Sequence, residues 1–235
     1  MTIPAEAASL GAEAYVNLRQ RILYGEFAIG QALSRRKLAG ELGMSLPPVS
    51  EALMRLELEG LLESRPRAGT RVRIPSRQDV EGHYVVREAL EAQAARLFAE
   101  AATDAEIAEL QRLAARVDAL AANQNGNRAH YLTLHEKLHH RIAECTRCQA
   151  LTEVIDKTHA LASTWLCVGY GGQKAPARRH VKLMAVLARR DPKAAARAMR
   201  RHVAGSRQRS LERLEPYFQQ RETGGTSFAR SARRR

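Results

Sequence analysis

Apolar residues recur at helical spacing in three segments near the N-terminus and then give way to two short extended runs. Ser34 and Ser45 are typical N-cap residues and begin the second and third predicted helices, and Gly43 is expected to end the second. The extended runs bracket a turn-forming stretch at residues 65–70. Three helices followed by a hairpin predict a winged helix-turn-helix domain over residues 1–75.

Beyond residue 75 the apolar spacing is helical, without the alternation that strands show. About six helices are indicated. A capping box beginning at Thr103 opens the second, and Asp191 followed by proline opens the last, which we expect to end before Pro216. Amphipathic helices with short loops predict an all-α bundle over residues 76–216, so the chain as a whole is mainly α.

The chain is strongly basic, but the charge is uneven. The net charge is +13, from 38 basic and 25 acidic residues. Residues 174–235 hold 18 basic and 4 acidic residues, so charge alone does not locate a DNA-binding part. Residues 217–235 combine several arginines with little to bury, and we expect a disordered basic tail there.

Other features limit the class of protein. The chain has no apolar run long enough to span a membrane and no secretion signal, so we expect a cytoplasmic protein with no membrane partner. Its three cysteines argue against a disulfide framework. Cys145 and Cys148 form one C-x-x-C pair. A structural zinc site usually needs a second pair, so incidental spacing is the favoured interpretation and a redox role is the alternative.

Basic residues of the first domain are placed where DNA would meet them. Arg35, Arg36 and Lys37 crowd the first turn of the second helix, where the helix dipole disfavours cations unless a phosphate lies nearby. Arg67 and Arg71 lie on the wing and are expected to reach phosphates or the minor groove of double-stranded DNA.

The stretch LSRRKLAGELGMSLPPVSEALMRLELEGLLESRPRAGTRV resembles the winged helix of the GntR family of regulators. The resemblance implies DNA contacts by Arg36 and Arg55. Family members often carry arginine at the positions of Leu46 and Ser50, so a different operator is expected here; Ser50 is predicted to meet a base edge or phosphate and Leu46 a thymine methyl. The predicted DNA-contacting residues are Arg36, Ser45, Ser50, Arg55, Arg67 and Arg71.

Four histidines lie on the apolar stripes of three predicted helices of the bundle. His135 and His139 are four residues apart and share one face, while His180 and His202 lie on two later helices. A single inward histidine is most often a hydrogen-bonded core residue, but four of them each need a polar partner. A divalent metal would satisfy them together, and zinc or nickel suits imidazole.

Residues 79–214 resemble the FCD domain that follows GntR winged helices in the FadR-like branch, through YVVREALEAQAARL, HEKLHHRIAE, RRHVKLMAVL and RRDPKAAARAMRRHV. The resemblance implies metal ligation by His139, His180 and His202. The position that is acidic in metal-binding members is His135 here, which makes the site softer and more positive. His135 is expected either to bind the metal or to contact a metal-bound water.

Arg87 lies on an inward stripe of the first bundle helix. Glu91 is one turn away, so an internal ion pair is one interpretation. The FCD resemblance implies another, in which this arginine binds an acidic effector. A small carboxylate bridging metal and guanidinium would explain an inward charge.

These patterns predict a homodimeric, non-enzymatic transcription regulator, with repression the commoner behaviour in the family. One alternative is a zinc peptidase, because His135, Glu136 and His139 form H-E-x-x-H with glutamate as general base. The FCD resemblance already accounts for three of the histidines, so the regulator is preferred. A third possibility is a DNA-binding dimer without metal, whose histidines belong to the core.

Overall fold

The computed structural model describes residues 9–65, 69–123, 128–167 and 178–231. The chain divides into two compact units, Met1–Ile74 and Pro75–Arg235.

The first unit is a winged helix with three helices and a small three-stranded sheet. Its elements in chain order are α1 Leu10–Leu23, β1 Ala32–Leu33, α2 Arg35–Leu42, α3 Leu46–Leu58, β2 Leu62–Arg65 and β3 Gly69–Val72. The strands are antiparallel in the order β1-β3-β2, and β2 and β3 form the wing. The strand β1 has two residues, too few to show alternation, and the sequence pattern did not indicate it.

Local capping explains where α2 begins and ends. The Ser34 side chain accepts a hydrogen bond from the backbone N–H of Lys37, and Gly43 ends the helix with a φ of 63°. Both predicted caps of α2 are confirmed. Ser45 lies at the N-cap of α3 but makes no side-chain capping bond, and prolines occupy the first turn instead.

The second unit consists of six helices among its described residues, as the sequence predicted. The helices are α4 Arg77–Ala101, α5 Asp104–Ala122, α6 Arg128–Glu144, α7 Gln149–Cys167, α8 Arg179–Leu187 and α9 Pro192–Ser231. Thr103 and Glu106 form the expected capping box of α5, and Ser76 and Asp79 form another at the start of α4. Of the described helices, none combines the length and apolarity needed to cross a membrane.

The helix α9 continues past Pro216, so the predicted end before this residue is wrong, as is disorder beginning at 217. Leu214 and Phe218 flank the proline and are both buried, and α9 packs along α4. The guanidinium of Arg77 lies 5.2 Å from the centroid of the Phe218 ring. A proline inside a helix costs about 3 kcal/mol. Burial of the Leu214 and Phe218 side chains contributes roughly 1.5–3 kcal/mol each, which offsets the cost of the proline.

Candidate metal centre and nucleic-acid interface

Three helices bring four histidines into one layer inside the second unit. One ligand atom from each of His135, His139, His180 and His202 lies within 4.8 Å of the others. His135 and His139 are one turn apart on α6, with ring centroids separated by 4.7 Å. The His180 ring on α8 lies 5.1 Å from His135 and 5.0 Å from His202 on α9. The four residues predicted from separate segments therefore meet.

These imidazoles have buried nitrogens without a hydrogen-bond partner among the described residues. This is true of both ring nitrogens of His135 and His139 and of Nε2 of His180 and His202. Burial lowers the pKa of His135 and His202 well below the ordinary value, and it lowers the pKa of His180 to about 4. These three rings are therefore neutral at pH 7, the form that binds metals. The donor set fits a divalent cation that accepts imidazole.

Asp118 on α5 fixes the orientation of His180. Its Oδ1 lies 2.7 Å from His180 Nδ1, and the carboxylate also accepts the backbone N–H groups of His180 and Val181 in the first turn of α8. With Nδ1 donating its proton to Asp118, the lone pair of His180 is on Nε2. A carboxylate behind a ligating histidine is the usual arrangement of metal sites. The sequence pattern did not indicate Asp118, which is 62 residues away from His180 along the chain.

Glu91 on α4 lies beside His139 and His159. Its Oε2 lies 2.9 Å from His139 Nδ1, and its Oε1 lies 3.2 Å from Nε2 of His159 on α7, without hydrogen-bond angles in either case. Glu91, His139 and His159 also form a second group that could hold a metal. The buried charge of Arg87 beside Glu91 opposes a cation there. His159 was not among the predicted residues.

Arg87 forms the internal ion pair expected from its spacing. Its Nε and Nη2 donate to Glu91 Oε1 at 2.8 and 2.7 Å, and both side chains are buried. Burial opposes ionisation of Glu91, but the neighbouring Arg87 and His139 outweigh it and hold the pKa of Glu91 well below its usual value. The Nη1 group of Arg87 is buried and has no hydrogen-bond partner among the described residues.

The predicted DNA-contacting residues of α2 and α3 lie mostly on the surface. Arg36 and Ser45 are exposed, and Ser50 is half-buried. Leu46 is 45% exposed, so an apolar group is available on the surface of α3. Arg55 is exposed and its guanidinium stacks 3.9 Å from the centroid of the Tyr15 ring.

Of the two wing arginines, Arg71 lies among the described residues. Arg71 on β3 pairs with Glu63, its partner in the β2–β3 register, through a 2.6 Å hydrogen bond from Nε to Oε1. A DNA contact by Arg71 would therefore share this guanidinium with a carboxylate. Arg67 lies outside the described residues.

The fold and the layer of histidines define a protein with a winged-helix unit and a helical unit that contains a candidate ligand site. Residues 10–72 match the model of the bacterial regulatory proteins of the gntR family, and residues 83–205 match the FCD domain. The chain belongs to the GntR family and carries an FCD domain.

Named relatives are transcription regulators. The chain is 26% identical over 193 residues to the HTH-type transcriptional repressor RspR of Escherichia coli strain K12, covering 80% of this chain and 83% of that protein. It is 41% identical over 78 residues to a probable D-xylose utilization operon transcriptional repressor of Paenarthrobacter nicotinovorans, covering 33% of this chain and 34% of that protein.

Solved structures share the fold. E. coli McbR/YncC has a TM-score of 0.71 and 23% identity, covering 90% of this chain and 100% of that one. A GntR regulator described as putative, from Rhodococcus sp. RHA1, has a TM-score of 0.73 and 21% identity, covering 87% and 98%. With the family matches, these findings identify the chain as a transcriptional regulator.

Proposed function

We propose that this regulator binds a divalent metal through His135, His139, His180 and His202, and that a small carboxylate effector beside the metal changes its affinity for operator DNA. The observation that carries this proposal is the set of buried imidazole nitrogens that lack partners among the described residues. A buried polar atom left unpaired costs about 1–3 kcal/mol, so several in one layer favour a shared ligand.

The donor set favours zinc or nickel. All four side chains offer imidazole nitrogen, which both metals accept. A bound cation would supply a Lewis acid for a carboxylate oxygen. Zinc held by four protein ligands usually has no open position, whereas an ion of higher coordination number such as nickel retains positions for an effector.

Arg87 supplies a second anchor for the effector. Its Nη1 group is buried and unpaired among the described residues, while Glu91 occupies the rest of the guanidinium. A carboxylate that accepted a hydrogen bond from Nη1 would replace an unsatisfied donor by a charge-assisted bond.

The remaining parts of the proposal concern DNA and assembly. Two helical units of a homodimer would present two winged helices to a near-palindromic operator, where the chain acts as a cytoplasmic repressor. Arg36, Ser45, Ser50, Arg55, Arg67 and Arg71 are the proposed DNA-contacting residues.

The zinc-peptidase alternative is less well supported. A catalytic zinc usually has three protein ligands and one open position, but His180 and His202 add two ligands to the pair in the H-E-x-x-H sequence. Hydrolysis of peptides by metal-loaded protein that disappears in Glu136→Gln would favour the peptidase.

Metal content tests the proposal directly. Protein purified without a histidine tag is expected to retain about one zinc or nickel ion per chain, measured by elemental analysis, and His180→Gln is expected to lose it. His140→Gln is a matched control, because His140 is only half-buried and pairs with Asp156. Wild-type protein without stoichiometric metal would favour the DNA-binding dimer whose histidines are core residues.

A second experiment tests the coupling to DNA. An effector can change operator affinity only if it binds the two states of the protein differently, so operator DNA must change effector affinity by the same factor. Titration of metal-loaded protein with a panel of small mono- and dicarboxylates, with and without the operator, measures this factor. Equal affinities for every acid that binds would contradict the regulatory part of the proposal.

A further inference from the structure

Arg179, at the start of α8, directs its guanidinium to a tyrosine close to the histidine layer. Its Nη2 donates to the Tyr131 hydroxyl at 3.0 Å, and its Nε is buried without a hydrogen-bond partner among the described residues. Tyr131 is one turn before His135 on α6, and the two rings have centroids 5.6 Å apart. Arg179 is therefore linked to a proposed metal ligand through one side chain.

Arg209 reaches the same end of the bundle from α9. Its Nη2 donates to Ser206 Oγ at 3.1 Å, and a Cβ placed on Gly205 would lie only 3.3 Å from its Nη1. The guanidinium thus lies back along α9 over a position that has no side chain. Ser206 is one turn after His202. Arg209 therefore points toward the turn that carries a proposed ligand.

The two guanidinium groups carry positive charge that no described carboxylate neutralises. Both side chains are half-buried, and neither forms an ion pair among the described residues. Burial and the charge of Arg179 lower the pKa of Arg209 to about 10. His180, the neighbour of Arg179, and His202, one turn before Ser206, have ring centroids 5.0 Å apart, so both guanidinium groups belong to the same region of the bundle. Like charges in one region repel each other, and an anion bound there would reduce that repulsion.

A third arginine borders the same region. The ring of Tyr84 on α4 lies 5.0 Å from Cζ of Arg87, and its hydroxyl lies 2.8 Å from Ser210 Oγ, on the residue after Arg209. Arg87 is thus connected to the Arg209 segment of α9 through one aromatic side chain, just as Arg179 is connected to the histidine layer.

We infer that Arg179 and Arg209 form a subsite for a second anionic group, so that the effector is a small acid with two anionic groups. The first group lies at the histidine layer and Arg87, and the second lies between Arg179 and Arg209. This inference rests on the proposed effector site. A guanidinium matches carboxylate and phosphate or phosphonate equally well in geometry, so the shared requirement is a planar or tetrahedral oxyanion.

Calorimetric titration of the full-length, metal-loaded protein tests the inference with three acids of similar length: succinate, butyrate and 3-phosphonopropanoate. Butyrate has a methyl group where succinate has its second carboxylate. Charge-assisted hydrogen bonds contribute about 1.5–3 kcal/mol, so we expect at least one dianion to bind roughly 10- to 100-fold more tightly than butyrate. The tighter dianion identifies the preferred oxyanion.

Variants then locate the preference. Arg209→Gln is expected to reduce the preference for the dianion over butyrate to about twofold or less, through weaker binding of the dianion, and Arg209→Lys is expected to retain part of that preference. Arg201→Gln on the same helix is the matched control, because Arg201 is exposed and its loss removes equal charge. Thermal unfolding of each unliganded variant verifies that the fold is intact.

The outcomes separate this inference from the function on which it rests. Tight butyrate binding with no gain from a second anionic group would overturn the inference and leave the proposed effector site in place. An equal loss of preference in Arg201→Gln would reduce the effect to general charge and also overturn it. Protein that holds neither metal nor any of the acids would contradict the proposed function itself.

Discussion

Asp118 accepts hydrogen bonds from three N–H groups of the same short segment, the Nδ1 of His180 at 2.7 Å and the backbone amides of His180 and Val181. One carboxylate therefore caps the first turn of α8 and sets the tautomer of a proposed metal ligand. The start of a helix and the orientation of an imidazole are coupled through a residue on another helix.

Asp118→Asn is expected to weaken zinc or nickel binding by roughly 10- to 100-fold, because the amide no longer holds Nδ1–H as firmly and the Nε2 lone pair becomes less basic. Competition with a chelator of known affinity measures the change. Asp156→Asn is the matched control, since Asp156 makes a 2.7 Å contact with Nδ1 of the half-exposed His140. Equal affinity in Asp118→Asn and wild type would contradict a positioning role.

The metal-free protein is expected to lose stability as pH falls from about 6.5 to about 4. Burial lowers the pKa of His159 and of His180 to about 4 in the folded chain, from 6.5 ordinarily. In this window the unfolded chain binds protons that the folded chain does not. Each of these two histidines therefore lowers the free energy of unfolding by roughly 1.4 kcal/mol per pH unit as the pH falls through this window. Above about pH 6.5 neither histidine causes such a loss.

Urea unfolding between pH 4 and 7 measures this slope. His159→Gln is expected to make the dependence of the unfolding free energy on pH shallower, by the amount that corresponds to about one bound proton. His140→Gln is expected not to do so, because Asp156 and Glu144 outweigh partial burial and raise the pKa of His140. Identical slopes in wild type and His159→Gln would contradict the assignment of a neutral, buried His159.

Arg87→Met is expected to destabilise the protein by about 3–5 kcal/mol, because it leaves Glu91 charged and buried. The double variant Arg87→Met with Glu91→Leu removes both charges and is expected to recover much of this loss. Urea unfolding checks both values. Arg96→Ala provides the control, since Arg96 and Glu100 form the same i,i+4 pair on the exposed side of α4 and such pairs contribute about 1 kcal/mol or less. A single-variant cost as small as that of Arg96→Ala would contradict the buried pair.

Arg36→Ala is expected to weaken binding to a promoter fragment that the wild-type protein retards, and to reduce the slope of log affinity against log salt by about one. The physical reason is that an exposed arginine in the first turn of α2 neutralises one phosphate and releases its counterions. Gel retardation at several salt concentrations measures the slope. Arg112→Ala, an exposed change on α5, should leave it unaltered, and an unaltered slope in Arg36→Ala would argue against this contact.

Local chemistry explains which elements the sequence could predict. The start and end of α2 follow from Ser34 and Gly43, and the capping box of α5 follows from Thr103 and Glu106, because each depends on residues within one turn. Two-residue β1 and the passage of α9 through Pro216 depend on partners distant in sequence. In the second case the burial of Phe218 against α4 outweighed a local helix-breaking signal.

The sequence by itself determined that His135, His139, His180 and His202 lie on apolar stripes, since helical spacing fixes the face on which a side chain lies, but it did not indicate the buried His159. Only the tertiary structure decided that helices α6, α8 and α9 bring them within 4.8 Å of one another, and that Asp118 and Glu91 lie behind two of the rings. It also decided that Arg179 donates to Tyr131, one turn before His135, and that Arg209 donates to Ser206, one turn after His202. The physical reason is that helical periodicity fixes the face on which a side chain lies, whereas its neighbours across the bundle depend on how whole helices pack.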